Sequence, residues 1–305
     1  MSSQASSASS QQDSQTPSVP AIVASLRAAG CVFAEDEAEL LIAEAATAEQ
    51  LADMVERRVS GFPLEQVLGW AEFCGLRIAV DPGVFVPRRR TELLVQEGAA
   101  LARQAVLAVS AGSPASFALS ASAPPGVPLS PVVVDLCCGS GAVGAALAHA
   151  LGRIELHAAD IDPAAVACAR RNLAAVGGHV YSGDLYRPLP VSLHGRINLL
   201  IANAPYVPTE AIGFLPQEAR LHEPRVALDG GLDGLDVLRR VTEAAPRWLA
   251  PGGSLLFEIS EGQVPGMVET VTRSGLIPRI VGCEDLDATI VVATAPSDPV
   301  APSTP

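Results

Sequence analysis

The sequence predicts an α/β protein: a mostly parallel sheet covered by helices on both faces, preceded by a small helical domain and a β-hairpin. Two observations support this prediction. Apolar, strand-like runs alternate with helical patterns from residue 132 to residue 294. The first run, at residues 132–134, is a triple valine of the kind that a fully buried parallel strand needs. With 305 residues and 49% hydrophobic content, the chain can bury the core of one large domain and a smaller one.

The composition restricts the class of protein. The net charge is −13 and all 20 basic residues are arginines, so repulsion from a phosphate backbone disfavours a nucleic-acid partner. No apolar run reaches the roughly 18 residues of a transmembrane helix, and the first residues lack the order of a signal peptide. The six cysteines show no C-x-x-C spacing, which predicts reduced thiols, no metal site and a cytoplasmic location.

The chain before the sheet divides into segments of different character. Residues 1–18 are rich in Ser and Gln and predict a disordered tail, as do residues 295–305 at the other end. Residues 19–70 predict a helical domain, in which Thr47 and Gln50 form a capping box at the start of the third helix. Such a domain serves either as a packing lid or as a grip on a macromolecular substrate, and we assign it to substrate binding.

Residues 71–92 predict a β-hairpin connection with its turn at residues 81–83, the sequence Asp-Pro-Gly. Residues 93–109 predict a helix, and the run Arg88-Arg89-Arg90 stands just before it. A charge run is usually a solvated face, but this one precedes the main domain closely enough to lie at an active-site mouth. Residues 110–131 are rich in Ala, Ser, Pro and Gly and carry no charge, which predicts an inserted flexible linker.

Residues 132–144, VVVDLCCGSGAVG, predict a buried strand, a glycine-rich turn and the start of a helix. Glycines permit positive φ angles and close approach of a ligand to the backbone, and the helix N-terminus offers unpaired N–H groups. This stretch therefore predicts a nucleotide-type cofactor. Gly139 to Gly144 match G-x-G-x-x-G, a pattern that serves a dinucleotide and S-adenosylmethionine alike. Asp160 does not separate the two, because an acidic group about 20 residues on can hold ribose hydroxyls in both.

Polar residues end successive strands of the predicted domain, residues 132–294: Asp135, Asp160, Asp184 and Asn203. Because ligands of parallel sheets bind at the carboxyl ends of the strands, we expect these side chains to face the cofactor.

Asn203-Ala204-Pro205-Tyr206 directly follows the apolar strand INLLIA. An amide or exocyclic amine is a poor nucleophile because its lone pair is delocalised. Acceptors aimed at its hydrogens, such as the Asn203 side-chain oxygen and the Ala204 carbonyl, would favour a pyramidal nitrogen and the positive charge that develops on it. Tyr206 would supply a flat apolar face. The same four residues also suit an ordinary β-turn after a strand, so the pattern alone leaves both interpretations open.

Together these stretches resemble a known family. The ordered set from about residue 61 to residue 294 is PRRRTELLV, VVDLCCGSGAVGAALA, ADIDPAAVACARRNL, IANAPYVP, EPRVALDGGLDGLDVLRR and LAPGGSLLFEI. It is similar to the glutamine N5-methyltransferases of the HemK/PrmC type. These are class I S-adenosylmethionine enzymes with a Rossmann-like sheet, and they methylate the glutamine of translation release factors. The resemblance implies a mostly parallel seven-stranded sheet, S-adenosylmethionine as cofactor and a release factor as protein substrate.

The resemblance also implies roles for single residues. Gly139, Gly141 and the backbone from Cys137 would wrap the methionine moiety, Asp160 would hold the ribose, and Leu185 beside Asp184 would flank the adenine. Asn203, Ala204, Pro205 and Tyr206 would clamp the glutamine amide as the catalytic set. The full set assigned to the cofactor is Asp135, Cys137, Cys138, Gly139, Ser140, Gly141, Asp160, Asp184, Leu185 and Asn203, and no residue is assigned to a metal.

Three departures from the family pattern indicate a divergent branch. Alanine at position 204 replaces the first proline of Asn-Pro-Pro-Tyr, which keeps the carbonyl but loses the fixed φ of proline. Cys137-Cys138-Gly139 replaces Gly-Thr-Gly, and Arg89-Arg90 replaces Pro-Glu/Asp. Two rival functions stay open: an amino-group methylase of DNA or rRNA, and a non-catalytic S-adenosylmethionine-binding protein. The acidic charge and the lack of a target-recognition domain disfavour the first.

Overall fold

The structure is a computed structural model that describes residues 18–110 and 130–297. Contacts divide the chain into two compact units, one ending at Leu68 and one beginning at Gly69. The predicted tails, residues 1–18 and 295–305, and the predicted linker, residues 110–131, lie almost wholly outside the described residues, and their character stays a prediction.

The described part of the first unit consists of four helices: α1 (Val19–Ala28), α2 (Ala34–Glu44), α3 (Ala48–Val59) and α4 (Leu64–Leu68). Ile22, Leu26 and Leu41 are fully buried, as their helical spacing in the sequence predicts. Thr47 caps α3, its hydroxyl accepting from the backbone N–H of Gln50 at 3.1 Å. The Gln50 side chain accepts from the N–H of Ala46 rather than from that of Thr47, so only one half of the predicted capping box is present.

The β-hairpin lies earlier in the chain than its predicted turn. Strands β1 (Trp70–Phe73) and β2 (Leu76–Ala79) pair antiparallel and are joined by Cys74 and Gly75, with φ values of 50° and 73°. Positive φ at both central residues matches the twist of a two-residue hairpin, so this turn and not residues 81–83 closes it. The prediction of a turn at residues 81–83 flanked by paired strands is therefore wrong.

Seven strands form the main sheet of the second unit, in the order β5-β4-β3-β6-β7-β9-β8. They are β3 (Val132–Leu136), β4 (Glu155–Asp160), β5 (His179–Ser182), β6 (Ile197–Ala202), β7 (Leu249–Ile259), β8 (Ile277–Cys283) and β9 (Ala288–Thr294). The five strands β3 to β7 run parallel to one another, and β9 runs antiparallel to both β7 and β8. This confirms the predicted α/β fold with a mostly parallel seven-stranded sheet.

Helices cover both faces of this sheet: α5 (Glu92–Ser110), α6 (Ala142–Leu151), α7 (Pro163–Leu173), α9 (Asp236–Ala244) and α10 (Val264–Arg273). The short helix α8 (Gln217–His222) lies in the connection between β6 and α9. Successive strand residues face opposite sides, as the two-residue period requires. Val133 packs into a core with α5, α6 and α7, whereas Val134 packs into a second core with α9 and α10. No helix in residues 18–110 or 130–297 is long and apolar enough to cross a membrane.

The connection from β6 to α9 is a structured excursion that the sequence did not predict. Residues 203–208 follow β6, and the connection then forms short 3₁₀ turns at Thr209–Phe214 and Arg225–Ala227 on either side of α8. Proline precedes each of these three elements, at positions 208, 216 and 224, and sets the extended backbone from which the turn begins. The excursion stands at the carboxyl end of β6, where it borders the site described next.

Candidate active site

The glycine-rich turn between β3 and α6 is held by its own backbone. The N–H of Gly141 donates to the Cys138 carbonyl at 2.7 Å, and the N–H of Cys138 donates to the Ala159 carbonyl of β4 at 3.2 Å. Cys137, Gly139 and Gly141 have φ values of 54°, 53° and 79°. A Cβ on Gly141 would also lie 3.2 Å from side-chain atoms of α7, so two independent constraints require glycine there.

Asp135, the next-to-last residue of β3, is buried and lines the cleft beside this turn. Its Oδ2 accepts from the backbone N–H of Gly144 at 3.0 Å, whereas its Oδ1 has no hydrogen-bond partner among the described residues. Burial raises the pKa of Asp135 to about 7, with a smaller contribution from the charge of Asp160. A buried acceptor without a partner is what a bound cation or N–H donor in the cleft would satisfy.

Asp160 ends β4 and ties the turn to that strand. Its Oδ2 accepts from the N–H of Gly139 at 2.8 Å, and its Oδ1 accepts from the N–H of Asp162 at 2.9 Å. Burial raises the pKa of Asp160, although these two backbone bonds act in the opposite direction. Each oxygen keeps a further lone pair, so the carboxylate can position the turn and still accept from a ligand hydroxyl.

A cleft opens over the turn, and its lining combines apolar side chains with a few polar groups, as the linings of small-molecule and cofactor sites do. It brings together most of the residues that the sequence assigned to the cofactor: Asp135, Cys137, Cys138, Gly139, Ser140, Asp160 and Asn203. Sequence reasoning missed several further lining residues, among them Phe85, Pro87, Thr91, Ile161 and Asp162. These come from the segment after the hairpin and from the β4–α7 turn.

Three of the residues assigned to the cofactor do not line this cleft. Gly141 lies behind the turn, against α7. Asp184 and Leu185 line a separate groove with Arg240 and Trp248, and Asp184 forms an ion pair with Arg240 at 2.6 Å. Asp184 still lies close enough to the turn for its charge to help raise the pKa of the buried Cys137 thiol, for which burial is the main cause.

Residues 203–205 form a wall between the cofactor cleft and a second pocket. Asn203 and Pro205 line both cavities, together with Phe85 and Ala227. The second pocket, which we call the acceptor pocket, is otherwise lined by Arg88, Arg90, Ala204, Tyr206, Val207, Leu215, Pro216, Glu218, Ala219, Glu223 and Leu228. A group bound there would meet the cofactor cleft at Asn203.

A chain of side-chain hydrogen bonds leads away from Asn203. Its Nδ2 donates to the Thr91 hydroxyl at 3.4 Å, and that hydroxyl donates to Glu258 Oε2 at 2.8 Å. The Tyr206 hydroxyl donates to the other Glu258 oxygen, Oε1, at 2.6 Å. Burial raises the pKa of Glu258, while the two hydroxyls and the charge of Arg90 lower it. An acidic residue inside the apolar end of β7 was the one signal in the sequence that could have indicated this network.

The backbone of the same segment is held by a glycine-rich loop. The N–H of Gly230 donates to the Val207 carbonyl at 2.9 Å, and Gln263 Nε2 donates to the Tyr206 carbonyl at 2.8 Å and to the Asp233 carbonyl at 3.0 Å. A Cβ on Gly234 would overlap the Tyr206 carbonyl oxygen. Gly230 and Gly234 of DGGLDG therefore let this loop approach the backbone of residues 205–207. The sequence alone does not indicate this role.

No group of three or more His, Cys, Asp or Glu side chains among the described residues could hold a metal ion. Two of the three arginines before α5 lie at the acceptor pocket. Arg88 forms an ion pair with the buried Glu223 at 2.5 Å, and the exposed Arg90 lies near Tyr206 and Glu258.

The chain is similar to methyltransferases over most of its length. Residues 118–219 match the family described as "Methyltransferase small domain". The release factor glutamine methyltransferase of Geobacter sulfurreducens is 37% identical over 73% of this chain and 69% of its own. The protein of that name from Mycolicibacterium smegmatis is 31% identical over 88% and 92%. The 4-amino-L-phenylalanine/4-methylamino-L-phenylalanine methyltransferase of Streptomyces pristinaespiralis is 34% identical over 72% and 69%.

The fold is also similar to a solved structure, the hMettl16 catalytic domain in complex with the MAT2A 3'UTR hairpin 6. That comparison has a TM-score of 0.51 at 13% identity and covers 82% of this chain and 84% of that one, which supports the fold alone. The identities above 30% across two thirds or more of the relatives assign the family. The chain belongs to the release factor glutamine methyltransferase family and is an S-adenosylmethionine-dependent methyltransferase.

Proposed function

We propose that this protein transfers a methyl group from S-adenosylmethionine to the side-chain amide nitrogen (N5) of a glutamine in a peptide chain release factor. The observation that carries the proposal is the wall of residues 203–205, which separates the cofactor cleft from the acceptor pocket and borders both. The names of the relatives support the release factor as acceptor.

The cleft fits the cofactor. The unpartnered Oδ1 of Asp135 suits the ammonium group of the methionine moiety, and the backbone from Cys137 to Gly141 would wrap that moiety. Asp160 would accept from the ribose hydroxyls with its remaining lone pairs. Cys138 and Ser140 line the same cleft, and we retain Asp184 and Leu185 as residues that flank the adenine from the neighbouring groove. The bound cofactor supplies an electrophilic methyl group.

Asn203 to Tyr206 would hold the acceptor amide. The Asn203 Oδ1 and the Ala204 carbonyl accept the two amide hydrogens, which favours the positive charge that develops on the nitrogen. The Pro205 ring and the Tyr206 ring bound the pocket in which the planar amide would lie. Transfer would join the methyl carbon to the amide nitrogen as the carbon–sulfur bond breaks with its electron pair left on sulfur, and the nitrogen would lose one proton to solvent. Positioning is the main requirement.

An aromatic amine is the competing acceptor. One relative, at 34% identity, is named for 4-amino-L-phenylalanine, and the acceptor pocket of this chain offers mainly apolar surface with Arg88 and Arg90 at its side. We favour glutamine because the relatives with higher identity or greater coverage carry the release factor name. The net charge of −13 disfavours a nucleic-acid acceptor.

The remaining assignments follow from this acceptor. A release factor as partner places the reaction in the cytoplasm, and we propose that the protein acts as a monomer. The helices within residues 19–70 would bind the protein substrate, the hairpin region within residues 71–92 would connect them to the catalytic domain, and residues 132–294 would carry the catalysis.

Mass spectrometry after incubation with a release factor and S-adenosylmethionine tests the proposal. We expect one added methyl group on one glutamine, and none on a release factor in which that glutamine is replaced by alanine. Parallel reactions with 4-amino-L-phenylalanine and with rRNA measure the competing acceptors. Methylation of either of these with none of the release factor would overturn the proposal.

A further inference from the structure

We propose that Thr91 and Glu258 are positioning residues for methyl transfer, which orient the Asn203 amide and the Tyr206 ring from behind the acceptor pocket. The inference rests on the proposed function, since it concerns how the acceptor is held. Neither residue was assigned to the site from the sequence. They stand 112 and 52 residues along the chain from the residues they would orient.

Thr91 determines which way the Asn203 amide faces. The Glu258 carboxylate can only accept hydrogen bonds, so the Thr91 hydroxyl donates its single hydrogen to Glu258 Oε2 at 2.8 Å. The same hydroxyl can then only accept from Asn203, and Nδ2 is the donor that meets it, at 3.4 Å. This leaves Oδ1 as the acceptor end of the Asn203 side chain. An amide in the opposite orientation would point a donor at a nitrogen that itself carries hydrogens.

Glu258 connects the two halves of the acceptor site. Its two oxygens each accept one hydroxyl, that of Thr91 at 2.8 Å and that of Tyr206 at 2.6 Å. Glu258 is 2% exposed and is the next-to-last residue of β7. Burying an apolar residue at this position would cost less free energy than burying a carboxylate. A buried carboxylate with two hydroxyl donors is a poor choice for stability alone, but it fixes two acceptor-site residues relative to each other.

Arg90 completes the surroundings of this carboxylate. The guanidinium lies close enough to lower the pKa of both Glu258 and Tyr206 against the effect of burial, while remaining exposed at the acceptor pocket. Gln263 supports the same residues from the backbone side by donating to the Tyr206 carbonyl at 2.8 Å. The Tyr206 side chain is thus held by Glu258, whereas the Tyr206 backbone is held by Gln263.

Paired variants of Thr91 test the inference. Thr91→Val keeps the shape and removes the hydroxyl, and we expect the single-turnover rate of methyl transfer to fall about tenfold, the effect of one hydrogen bond. Thr91→Ser restores the hydroxyl and should stay within about twofold of the wild type. Thr91 lines the cofactor cleft, but both variants keep a side chain of similar size there, and the hydroxyl that Thr91→Val removes is bonded to Asn203 and Glu258. The dissociation constant for S-adenosylhomocysteine should therefore change by less than about threefold in both variants.

A double-mutant cycle separates positioning from general damage. In an Asn203→Ala background, adding Thr91→Val should lower the single-turnover rate by less than about a further twofold, because the group that Thr91 orients is already absent. A further tenfold loss in that background would overturn the inference. Glu258→Gln should lower the rate like Thr91→Val, since its amide Nε2 cannot accept from a hydroxyl.

A measurement without any acceptor keeps this inference separate from the proposed function. We expect the Asn203 side-chain amide hydrogens to exchange slowly with solvent in the S-adenosylhomocysteine-bound wild type and in Thr91→Ser, and faster in Thr91→Val. Equal exchange in all three proteins would contradict the inference even if the release factor is methylated. Conversely, a wild type that leaves the release factor unmethylated would end the proposed function while the exchange data still decide the role of Thr91.

Discussion

The cofactor cleft and the acceptor wall are built in different ways, although they share Asn203. The glycine-rich turn is stabilised by groups that are near in sequence: Asp160, which accepts from Gly139, is 21 residues away. Asn203 and Tyr206 depend on Thr91, Glu258 and Gln263, at separations of 112, 52 and 57 residues. One site is a local motif and the other is assembled by the whole domain.

This difference predicts that cofactor binding and methyl transfer can be altered separately by substitution. Changes in the turn should act on cofactor affinity, and changes around residues 203–207 should act on the rate of transfer with cofactor affinity preserved. The predictions below begin with the change expected to have the largest effect.

Gly234→Ala should damage the acceptor wall most severely. Gly234 has a φ of 80°, and a Cβ there would overlap the Tyr206 carbonyl oxygen, so the loop and residues 205–207 must move apart. We expect methyl transfer to fall at least about 100-fold and the free energy of unfolding to fall by about 2–4 kcal/mol, the sum of backbone strain and overpacking. Single-turnover assays and urea denaturation measure the two effects.

Gly177→Ala is the matched control for that variant. Gly177 has a φ of 68° in the left-handed region, but nothing lies within 4 Å of the position of its Cβ. It should lose only about 1 kcal/mol of stability through backbone strain and keep its methyl-transfer rate. Equal losses of activity in both variants would mean that contact with Tyr206 is not the reason for glycine at position 234.

Asp160→Ala should act on the cofactor side. It removes the acceptor that we assign to the ribose hydroxyls and also the bond from the Gly139 N–H. Loss of a charged hydrogen-bond acceptor costs about 1.5–3 kcal/mol, so affinity for S-adenosylhomocysteine should fall by about one to two decades. Calorimetry measures this directly, and an unchanged dissociation constant would refute the assignment of Asp160.

Cofactor affinity should also depend on the ionisation of Asp135. Burial raises the pKa of this carboxyl to about 7, so it is largely ionised above that pH and protonated below it in the free protein. The ionised form attracts the cofactor ammonium group, and affinity should therefore fall by up to about tenfold per unit as pH decreases below about 7. Titrations of S-adenosylhomocysteine from pH 5.5 to 8.5 follow the change. Asp135→Asn, which cannot ionise, should bind weakly with no such slope.

Ala204→Pro should have the smallest effect. It restores the proline that the family pattern has at this buried position and keeps the backbone carbonyl that would accept an amide hydrogen. We expect the rate of transfer to a release factor to hold or rise. A loss of activity on the release factor would indicate that alanine is required for a different acceptor.

The same difference explains how much could be read from the sequence. The alternation of strands and helices, the turn at Gly139–Gly141 and the place of Asp135, Asp160 and Asn203 follow from local patterns, because each needs only a strand and the residues beside it. The hairpin turn was predicted at the stronger Pro-Gly signal, but Cys74 adopts a positive φ that its residue type does not indicate. The sequence gives no signal for Thr91, and its only signal for Glu258 is an acidic residue within an apolar strand, since a hydrogen bond across 167 residues leaves no periodic trace.

Asn203→Ala tests the central claim most directly, since Asn203 belongs to both cavities. Single-turnover methyl transfer to a release factor and calorimetry with S-adenosylhomocysteine are measured on the same preparation. We predict a rate about 10²–10³-fold below the wild type, as for the loss of one preorganised polar group at a site of developing charge, with a dissociation constant within about threefold. A wild-type rate in this variant, or a loss of cofactor affinity as large as the loss of rate, would contradict the account.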